Sequence, residues 1–402
     1  RCPFCGEYNE INFESVKHEH VTNYVNNREQ HSVKIIGHAC PDCGHVYTQS
    51  QMRKQPAKWV ASNPDALKTG CRSFWLSAFA SPWVNWESIF LDYYRNENDP
   101  EKLKVVYNTK LGKLWEYGDL AQTDDKMLQR LEEYPAELPD GVLCITCGVD
   151  TQDDRLEYEV VGWGRSGESW GIKKGYIMGV PDSDDVWQRL DEVIDHRYTF
   201  ADGRGLMLSL TLIDSDGHFT QTIYKRCRER QTKKVFAIKG RGGEGIPIVN
   251  PATRVVIGDK RLHTGKINRA ACWLYPIGVD AGKAIIYQNL QIDVPGSRYC
   301  HFPKDDERGY DINYFNGLLS ERMVRKRTAS GYKMQWEKIP WHKRNEPLDC
   351  RNYALAAVKI LDPDWNALEE KLSNAVKPQS SEQPKQEQPR PKLRRKKLFD
   401  EW

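Results

Sequence analysis

The sequence VLCITCGVD at 142–150, followed by RLEYEVVGW at 155–163 and SWGIKKGYIM at 169–178, decides the fold of this chain. Each stretch is rich in β-branched and aromatic residues, and short polar turns separate one from the next. Parallel pairing needs a crossover of a dozen or more residues, so strands joined this closely pair antiparallel. The pattern therefore predicts three antiparallel strands, at 142–149, 156–163 and 169–178.

Strands alternate with helices in the next part of the chain. The pattern predicts a helix at 185–196, a strand at 207–213, a helix at 220–230 and a strand at 235–238. A strand, a helix and a strand in this order form a crossover, which makes the two strands parallel. Three antiparallel strands continued by such a unit give the order of an α/β, ribonuclease-H-like fold. Its mixed sheet is flanked by helices, and a helix at 348–360 closes the domain.

Composition divides the chain into four regions. Residues 1–50 form a small cysteine-containing insert, and residues 51–140 hold a tryptophan-rich segment, helices at 86–95 and 124–133, and a linker that begins at 134. Residues 141–375 carry the α/β pattern. Residues 376–402 are rich in Pro, Gln, Ser and Lys, and we expect a disordered basic tail because this composition cannot bury enough apolar surface to fold alone.

The body of the chain is close to neutral, and the tail is basic. The 402 residues contain 59 Lys/Arg and 56 Asp/Glu. Residues 377–402 account for eight of the basic and four of the acidic residues, which leaves 51 and 52 in residues 1–376. Contacts with nucleic acid in the body must therefore come from local patches.

The sequence shows no membrane or secretory signal. Mean hydropathy is −0.71, and no apolar run approaches the roughly 18–20 residues that a membrane helix needs. The body is therefore predicted to be soluble, without contact with a membrane. The chain begins at Arg1 without an initiator Met or an apolar leader, and we expect a fragment or a processed chain.

The strongest local motif is a pair of CxxC turns, CPFCG at 2–6 and CPDCG at 40–44. Each turn offers two thiolates, which is half of a tetrahedral Zn²⁺ site. Four cysteines leave no open position for catalysis, so we predict a structural, zinc-ribbon-like insert. His38 or His45 would be a substitute ligand. The predicted zinc ligands are Cys2, Cys5, Cys40 and Cys43.

The remaining cysteines indicate a reducing compartment. The total of 11 is odd, and the spacing does not resemble a disulfide framework. Cys144 and Cys147 form a further CxxC, but they lie within a predicted strand, where residues three apart face opposite sides. We therefore expect both to be buried thiols.

Carboxylates stand at the ends of the predicted strands. Asp150 follows the strand at 142–149, Asp214 follows the strand that ends at 213, and Asp349 begins the closing helix, with Glu346 just before it. If the first and fourth strands lie side by side, Asp150 and Asp214 are neighbours and the helix brings Asp349 opposite them. A single acid in such a place is more often a turn former, and it is the joint placement that indicates a site.

A cluster of this kind repels itself, and Mg²⁺ or Mn²⁺ relieves the repulsion. Two ions roughly 3.5–4 Å apart can activate water and stabilise the leaving oxygen in phosphodiester hydrolysis. The pattern therefore indicates a metal-dependent nuclease. Lys239, after the strand at 235–238, would offset charge on the scissile phosphate or would be a solvated strand end. Turn residues that could also act as ligands are Asp153, Asp154 and Asp216.

Two groups of basic residues are candidates for phosphate contacts. The first lies on or after the helix at 220–230, where a solvated helix face is the simpler explanation. The second contains aromatic residues and leads directly to Asp349, so it fits duplex DNA better. The first group is Lys225, Arg226, Arg228, Arg230, Lys233 and Lys234, and the second is Arg322, Arg325, Lys326, Arg327, Lys333, Lys338, Lys343 and Arg344 with Tyr332, Trp336 and Trp341.

Several motifs together resemble the lambda-type (GpA) large terminase subunits of tailed phages. Near the start these are the two CxxC turns, FASPW at 79–83 and NTKLG at 108–112. In the α/β region, GVDTQDDR at 148–155, IKG at 238–240 and NEPLDC at 345–350 follow in the family order. The resemblance covers about residues 1–375.

This resemblance implies a DNA-packaging motor whose nuclease cuts concatemeric duplex DNA in the host cell cytoplasm. It implies that residues 1–140 are the end of an ATPase domain with its zinc insert, and that residues 141–375 are the endonuclease. The implied metal ligands are Asp150, Asp214 and either Asp349 or Glu346, with Lys239 as the active-site lysine.

The same resemblance implies partners. They are double-stranded DNA, the small terminase subunit, the portal protein, which the basic tail would engage, and further copies of the chain. No GxxxxGK[ST] segment occurs, so ATPase activity is expected only of the full-length protein. Two alternatives stay open on the residues alone: a non-catalytic module that docks DNA and portal, and a ribonuclease-H-like integrase or resolvase.

Overall fold

The computed structural model describes residues 1–25, 28–61, 63, 70, 72–97, 99–115, 124–258, 270–328, 331–339 and 344–375. The predicted tail at 376–402, with Trp341 and Lys343, lies outside the described residues.

The strands are β1 Val16–Val25, β2 Arg28–Ala39, β3 Val46–Tyr47, β4 Leu131–Glu132, β5 Cys144–Thr151, β6 Arg155–Trp163, β7 Ser169–Met178, β8 Tyr198–Thr199, β9 Gly205–Leu206, β10 Leu210–Asp214, β11 Val235–Arg241, β12 Thr253–Val256, β13 Ala271–Gly278, β14 Cys300–Pro303, β15 Glu321–Thr328 and β16 Gly331–Lys338. The helices are α1 Gln49–Arg53, α2 Trp86–Asn96, α3 Pro100–Val106, α4 Asp124–Leu128, α5 Asp184–Ile194, α6 Thr220–Glu229, α7 Val279–Leu290, α8 Ile312–Leu318, α9 Glu346–Leu361 and α10 Trp365–Asn374.

A nine-stranded mixed sheet organises the α/β region, in the order β12-β13-β11-β10-β5-β6-β7-β14-β4. Strands β5, β6 and β7 pair antiparallel, and β10 pairs parallel with both β5 and β11. The predicted set of three antiparallel strands followed by a parallel unit is therefore confirmed. The sequence did not predict β12, β13, β14 and β4, which extend this set at both edges.

Helices cover both faces of the sheet. On one face, Trp187 of α5 and Ile223 of α6 pack into a core with the central strands. On the other face, Leu348 and Leu355 of α9 pack with Ile286 of α7 and other apolar residues. Helix α9 crosses the middle of the sheet and is buried along most of its length, so its first turn is held against the ends of the central strands.

Two predicted boundaries were wrong. The helix expected at 124–133 ends at Leu128, because the chain then enters β4, which pairs in parallel with β14 at the edge of the sheet. The segment from 134 to 141, expected to be a linker, packs against the domain. Leu138 is 1% exposed, and its main-chain N–H donates to the carbonyl of Thr199.

The N-terminal residues form a separate small sheet, β1-β2-β3. Val16 and Val33 of this sheet share a core with Phe79 and with Trp86 and Phe90, so the insert and the tryptophan-rich segment pack together. A capping box at Thr48 starts helix α1. No helix in the described parts of the chain is long and apolar enough to cross a membrane.

Candidate functional site

Asp150 and Asp214 lie side by side at one edge of the sheet. In the parallel pair of β5 and β10, Val149 is opposite Ile213. Asp150 and Asp214 are the next residues of these two strands, so they also lie beside each other. The hydroxyl of Thr151 donates to the main-chain carbonyl of Asp214 at 2.8 Å and fixes the strand ends together. Asp150 is only 5% exposed, and it accepts a hydrogen bond from the Gln152 amide at 2.6 Å.

Helix α9 brings a third acid to this edge. The helix lies against β5, where Thr146 Oγ1 donates to the carbonyl of Ala354 at 2.8 Å. The first turn of the helix carries Asp349, which accepts a hydrogen bond from Asn345 Nδ2 at 2.9 Å. This placement sets the carboxylate of Asp349 within electrostatic range of Asp150 and Asp214.

Burial raises the pKa of all three acids, and neighbouring carboxylates add to the shift. Burial raises the pKa of Asp150 to about 7, and the charges of Asp349 and Asp214 add to the effect. Burial likewise raises the pKa of Asp214 to about 7, with further contributions from Asp216 and Asp349. Burial raises the pKa of Asp349 to about 6, although Lys283 opposes the shift. Carboxylates crowded in this way favour binding of a cation.

Lys283 of α7 contacts Asp349, and sequence reasoning missed it. Its Nζ donates to both carboxylate oxygens of Glu321 at 2.8 Å and lies 3.5 Å from Asp349 Oδ1. Burial lowers the pKa of Lys283, but Asp349 and Glu321 outweigh it and raise the pKa, so the side chain is charged. The signal available in the sequence was one lysine within the otherwise apolar AGKAII at 281–286.

Glu346, the alternative third ligand, is held by arginines. Its carboxylate lies 3.0 Å from Arg155 Nη2 and 3.4 Å from Arg344 Nε. Arg155 also binds the buried Glu157, which pairs with Lys174 at 2.7 Å. In the strand register Glu157 is opposite Asp150. This charge-paired network therefore lies beside the acid cluster.

Lys239 lies at the rim. It is the residue after Ile238 in β11, its side chain is 52% exposed, and its Nζ donates to Asp216 Oδ1 at 3.0 Å. Asp216 itself follows Asp214 by two residues. Asp153, another turn residue, is exposed and pairs with His218. The structure therefore brings together Asp150, Asp214 and Asp349, and leaves Lys239 and Asp153 outside this group.

The four cysteines of the insert converge. Cys2 Sγ lies 3.8 Å from Cys43 Sγ, and Cys5 Sγ lies 3.7 Å from Cys40 Sγ. All four sulfurs lie within 4.8 Å of one another, and they are the one such group of three or more His, Cys, Asp or Glu ligand atoms in the part of the chain that is described. Four sulfurs at about 2.3 Å from a tetrahedral Zn²⁺ would stand about 3.8 Å apart, so this donor set fits zinc.

Neither nearby histidine belongs to the cysteine group. His38 is fully buried and packs edge-on against Tyr47, and His45 stacks on Phe4. The further pair, Cys144 and Cys147, is buried in β5 at 3% and 0% exposure, as predicted.

The two basic groups differ in their contacts. In the first, Arg226 pairs with Asp184, and Arg230 pairs with Asp191 at 2.7 Å, so these side chains join α6 to α5. The members of the second group from Arg322 to Lys338 lie on the hairpin β15–β16, which begins at Glu321, the partner of Lys283. The hairpin therefore starts at the edge of the acid cluster.

The fold is a mixed α/β sheet flanked by helices, with three acids at one edge of the sheet. Comparison with known proteins gives the family. The family described as "Terminase large subunit gpA, endonuclease domain" matches residues 71–370. The chain belongs to this family of terminase large subunits.

Two relatives and one solved structure illustrate the similarity. The terminase large subunit of Escherichia phage lambda is 32% identical over 313 residues, which are 76% of this chain and 46% of the relative. That of Enterobacteria phage P21 is 27% identical over 387 residues, 90% of this chain and 57% of the relative. The chain thus spans about half the length of these relatives. A mutant nuclease domain of the large terminase subunit gp2 of bacterial virus Sf6, with manganese and beta-thujaplicinol, is 15% identical with a TM-score of 0.29, over 61% of this chain and 96% of that one.

Proposed function

We propose that this chain is the endonuclease part of a DNA-packaging terminase and that it hydrolyses phosphodiester bonds in duplex DNA. The observation that carries the proposal is the convergence of Asp150, Asp214 and Asp349 from two strands and a helix. Their pKa values rise to between about 6 and 7 because burial and the charges of neighbouring carboxylates disfavour the ionised forms. A buried cluster of like charges is costly, and it is retained where it binds cations.

The donor set fits Mg²⁺ or Mn²⁺. Both ions prefer carboxylate oxygens and water, and the cluster offers three carboxylates at one sheet edge. We propose two ions because one would serve the attacking oxygen and the other the leaving oxygen. When bound, two such ions would activate water and stabilise the leaving oxygen.

The protein's own groups then have separate roles. Asp150 and Asp214 would hold ions from the rigid sheet, and Asp349 would complete the site from α9. Lys283 neutralises part of the negative charge and holds Asp349 in place. Glu346, the first residue of α9, is bound by two arginines and would orient the start of that helix. Lys239 would contact the DNA backbone at the rim.

The hairpin β15–β16 is the proposed DNA contact next to the site. Its sequence contributes Arg322, Lys326 and Arg327 from one strand and Lys333 and Lys338 from the other, and Lys326 is 58% exposed at its side chain. Backbone contacts of this kind are independent of base sequence and weaken with salt. The small subunit and the portal would be the assembly partners, and the ATP-driven motor would belong to the longer protein.

The experiment compares cutting of supercoiled plasmid by the wild type, Asp150→Asn and Asp153→Asn with Mn²⁺ or Mg²⁺. We expect Asp150→Asn to lose at least ~100-fold in rate, whereas Asp153→Asn, which removes an exposed acid close by, keeps nearly full activity. Cutting that survives Asp150→Asn would contradict the proposal and favour a docking module. Joining of the plasmid to a second duplex would instead indicate an integrase.

We also propose that the four insert cysteines bind one structural Zn²⁺. Hydrogen bonds from the backbone of Cys5 and Phe4 offset the effect of burial and lower the pKa of Cys2 to about 6, which favours the thiolate that zinc requires. Elemental analysis of the purified chain should give about one zinc per chain. The double variant Cys2→Ser/Cys40→Ser should lose it, and Cys144→Ser should not.

A further inference from the structure

The hairpin β1–β2 carries a second group of potential metal ligands. His20 and Thr22 are two residues apart on β1 and therefore point to the same face of the sheet. His31 of β2 is directly opposite Thr22 in the antiparallel register. The pairing thus places two imidazoles and one hydroxyl together, and none of these three residues belongs to the cysteine group.

The three polar atoms form a nearly equilateral triangle. His20 Nε2 lies 3.1 Å from His31 Nδ1, and Thr22 Oγ1 lies 3.4 Å and 3.3 Å from these nitrogens. Ligand atoms at about 2.0–2.1 Å from a tetrahedral ion stand about 3.3–3.4 Å apart, and those of an octahedral ion stand about 2.9 Å apart. The triangle therefore has the size of one face of a coordination sphere.

Neighbouring groups hold both rings in this orientation. The Tyr94 ring stacks on His20 with centroids 3.6 Å apart and an angle of 6° between the planes. The His31 side chain is 5% exposed, and its other nitrogen, Nε2, faces the carboxylate of Glu29 at 3.8 Å. A carboxylate behind a histidine commonly fixes the ring of a metal ligand.

We propose that His20 and His31, with the hydroxyl of Thr22, bind a divalent transition-metal ion of the class that imidazole prefers, Zn²⁺, Ni²⁺ or Cu²⁺. Two nitrogen ligands select such ions over Mg²⁺, which prefers oxygen, so this site is separate from the nuclease metals. The ion joins β1 to β2 where α2 packs on the hairpin. It therefore acts as a clip between the two strands of the hairpin.

His18 provides a matched control on the same strand. Its Nε2 bonds to the Tyr94 hydroxyl at 2.7 Å and its Nδ1 faces the carbonyl of Val16 at 3.1 Å. It therefore packs against the same tyrosine without contributing to the triangle. The alternative explanation of the triangle is a plain hydrogen bond between two neutral imidazoles.

The test is calorimetric titration of Ni²⁺ into the full chain, with the cysteines loaded with zinc and excess Mg²⁺ present to occupy the acids. We expect one saturable equivalent that weakens at least ~10-fold in His20→Gln and in His31→Gln and is unchanged in His18→Gln. Glutamine keeps a hydrogen-bonding group, and retained zinc with an unchanged circular-dichroism spectrum shows that each variant is folded.

Three results would overturn the proposal. They are the absence of a saturable equivalent in the wild type, an equivalent that survives both His20→Gln and His31→Gln, and equal weakening in His18→Gln. If a Gln variant does not fold, Thr22→Ala in its place should weaken binding measurably, and an unchanged affinity there would count against the triangle.

Discussion

The main-chain carbonyl of Cys350 occupies the space that a Cβ on Gly148 would need. Gly148 is in the centre of β5, and Cys350 is in the first turns of α9. Only a residue without a side chain lets the helix approach the strand this closely. The contact sets Asp349 near Asp150, so the geometry of the acid cluster depends on a glycine two residues before the first acid.

Replacing this glycine should disturb both stability and activity. We expect Gly148→Ala to lower the free energy of unfolding by roughly 3 kcal/mol or more, because a backbone contact has no way to relax locally. Urea denaturation and plasmid cutting would measure the two effects. Gly242→Ala is the control, since a Cβ there meets Asp280 Oδ1 at an ordinary 3.4 Å, and it should change neither quantity appreciably.

Removing one acid should stabilise the metal-free protein at high pH. The folded-state pKa of Asp150, about 7, lies above its ordinary 3.8, so the fold keeps a proton that the unfolded chain releases. Stability therefore falls as pH rises from about 4 to 7, and the full cost is present above pH 7. Asp150→Asn removes that cost.

The expected gain for Asp150→Asn is roughly 1–3 kcal/mol at about pH 8 with chelator present, and it shrinks towards zero near pH 4. Chemical denaturation at both pH values measures it. Added Mn²⁺ should stabilise the wild type more than the variant, by mass action on the folded state. A variant that is less stable than the wild type at pH 8 without metal would show that the ionised Asp150 does not destabilise the fold.

The roles of the two lysines can be separated by metal titration. Lys283 is buried and contacts Asp349, whereas Lys239 is exposed and contacts Asp216. Lys283→Met should therefore raise the pKa of Asp349 further and cut plasmid nicking roughly 10–100-fold, with a shift in the Mn²⁺ concentration that gives half-maximal rate. Lys239→Met should leave that concentration unchanged and weaken DNA binding instead. The reverse pattern would support the role assigned to Lys239 on family resemblance.

The choice of third ligand is equally open to measurement. Glu346 is paired with Arg155 and Arg344, so Glu346→Gln leaves the carboxylates of the cluster in place. We expect Asp349→Asn to abolish cutting and Glu346→Gln to reduce it by about 10-fold or less, through misplacement of the first turn of α9. If Glu346→Gln were the more severe change, Glu346 rather than Asp349 would be the ligand.

The sequence predicted the central part of the fold because its signals are local. Two apolar strands end in Asp150 and Asp214, and short turns join the strands that pair antiparallel. These two signals were enough to predict the order of the inner five strands. The outer strands β12 and β14 have only four residues each, and their pairing depends on distant partners. The contact of Lys283 with Glu321 joins residues 38 apart, and no spacing rule connects them. The helix predicted at 124–133 was too long, because the pairing of β4 with β14 overrides local helix propensity.

The most direct measurement is a crystal soaked in Mn²⁺ and examined by anomalous scattering. We predict two peaks roughly 3.5–4 Å apart between the three acids, each about 2.1–2.3 Å from carboxylate oxygens, with Asp150 contacting both. Peaks that avoid Asp150, Asp214 and Asp349, or no peaks at Mn²⁺ concentrations that support DNA cutting, would contradict the assignment of hydrolysis to this cluster.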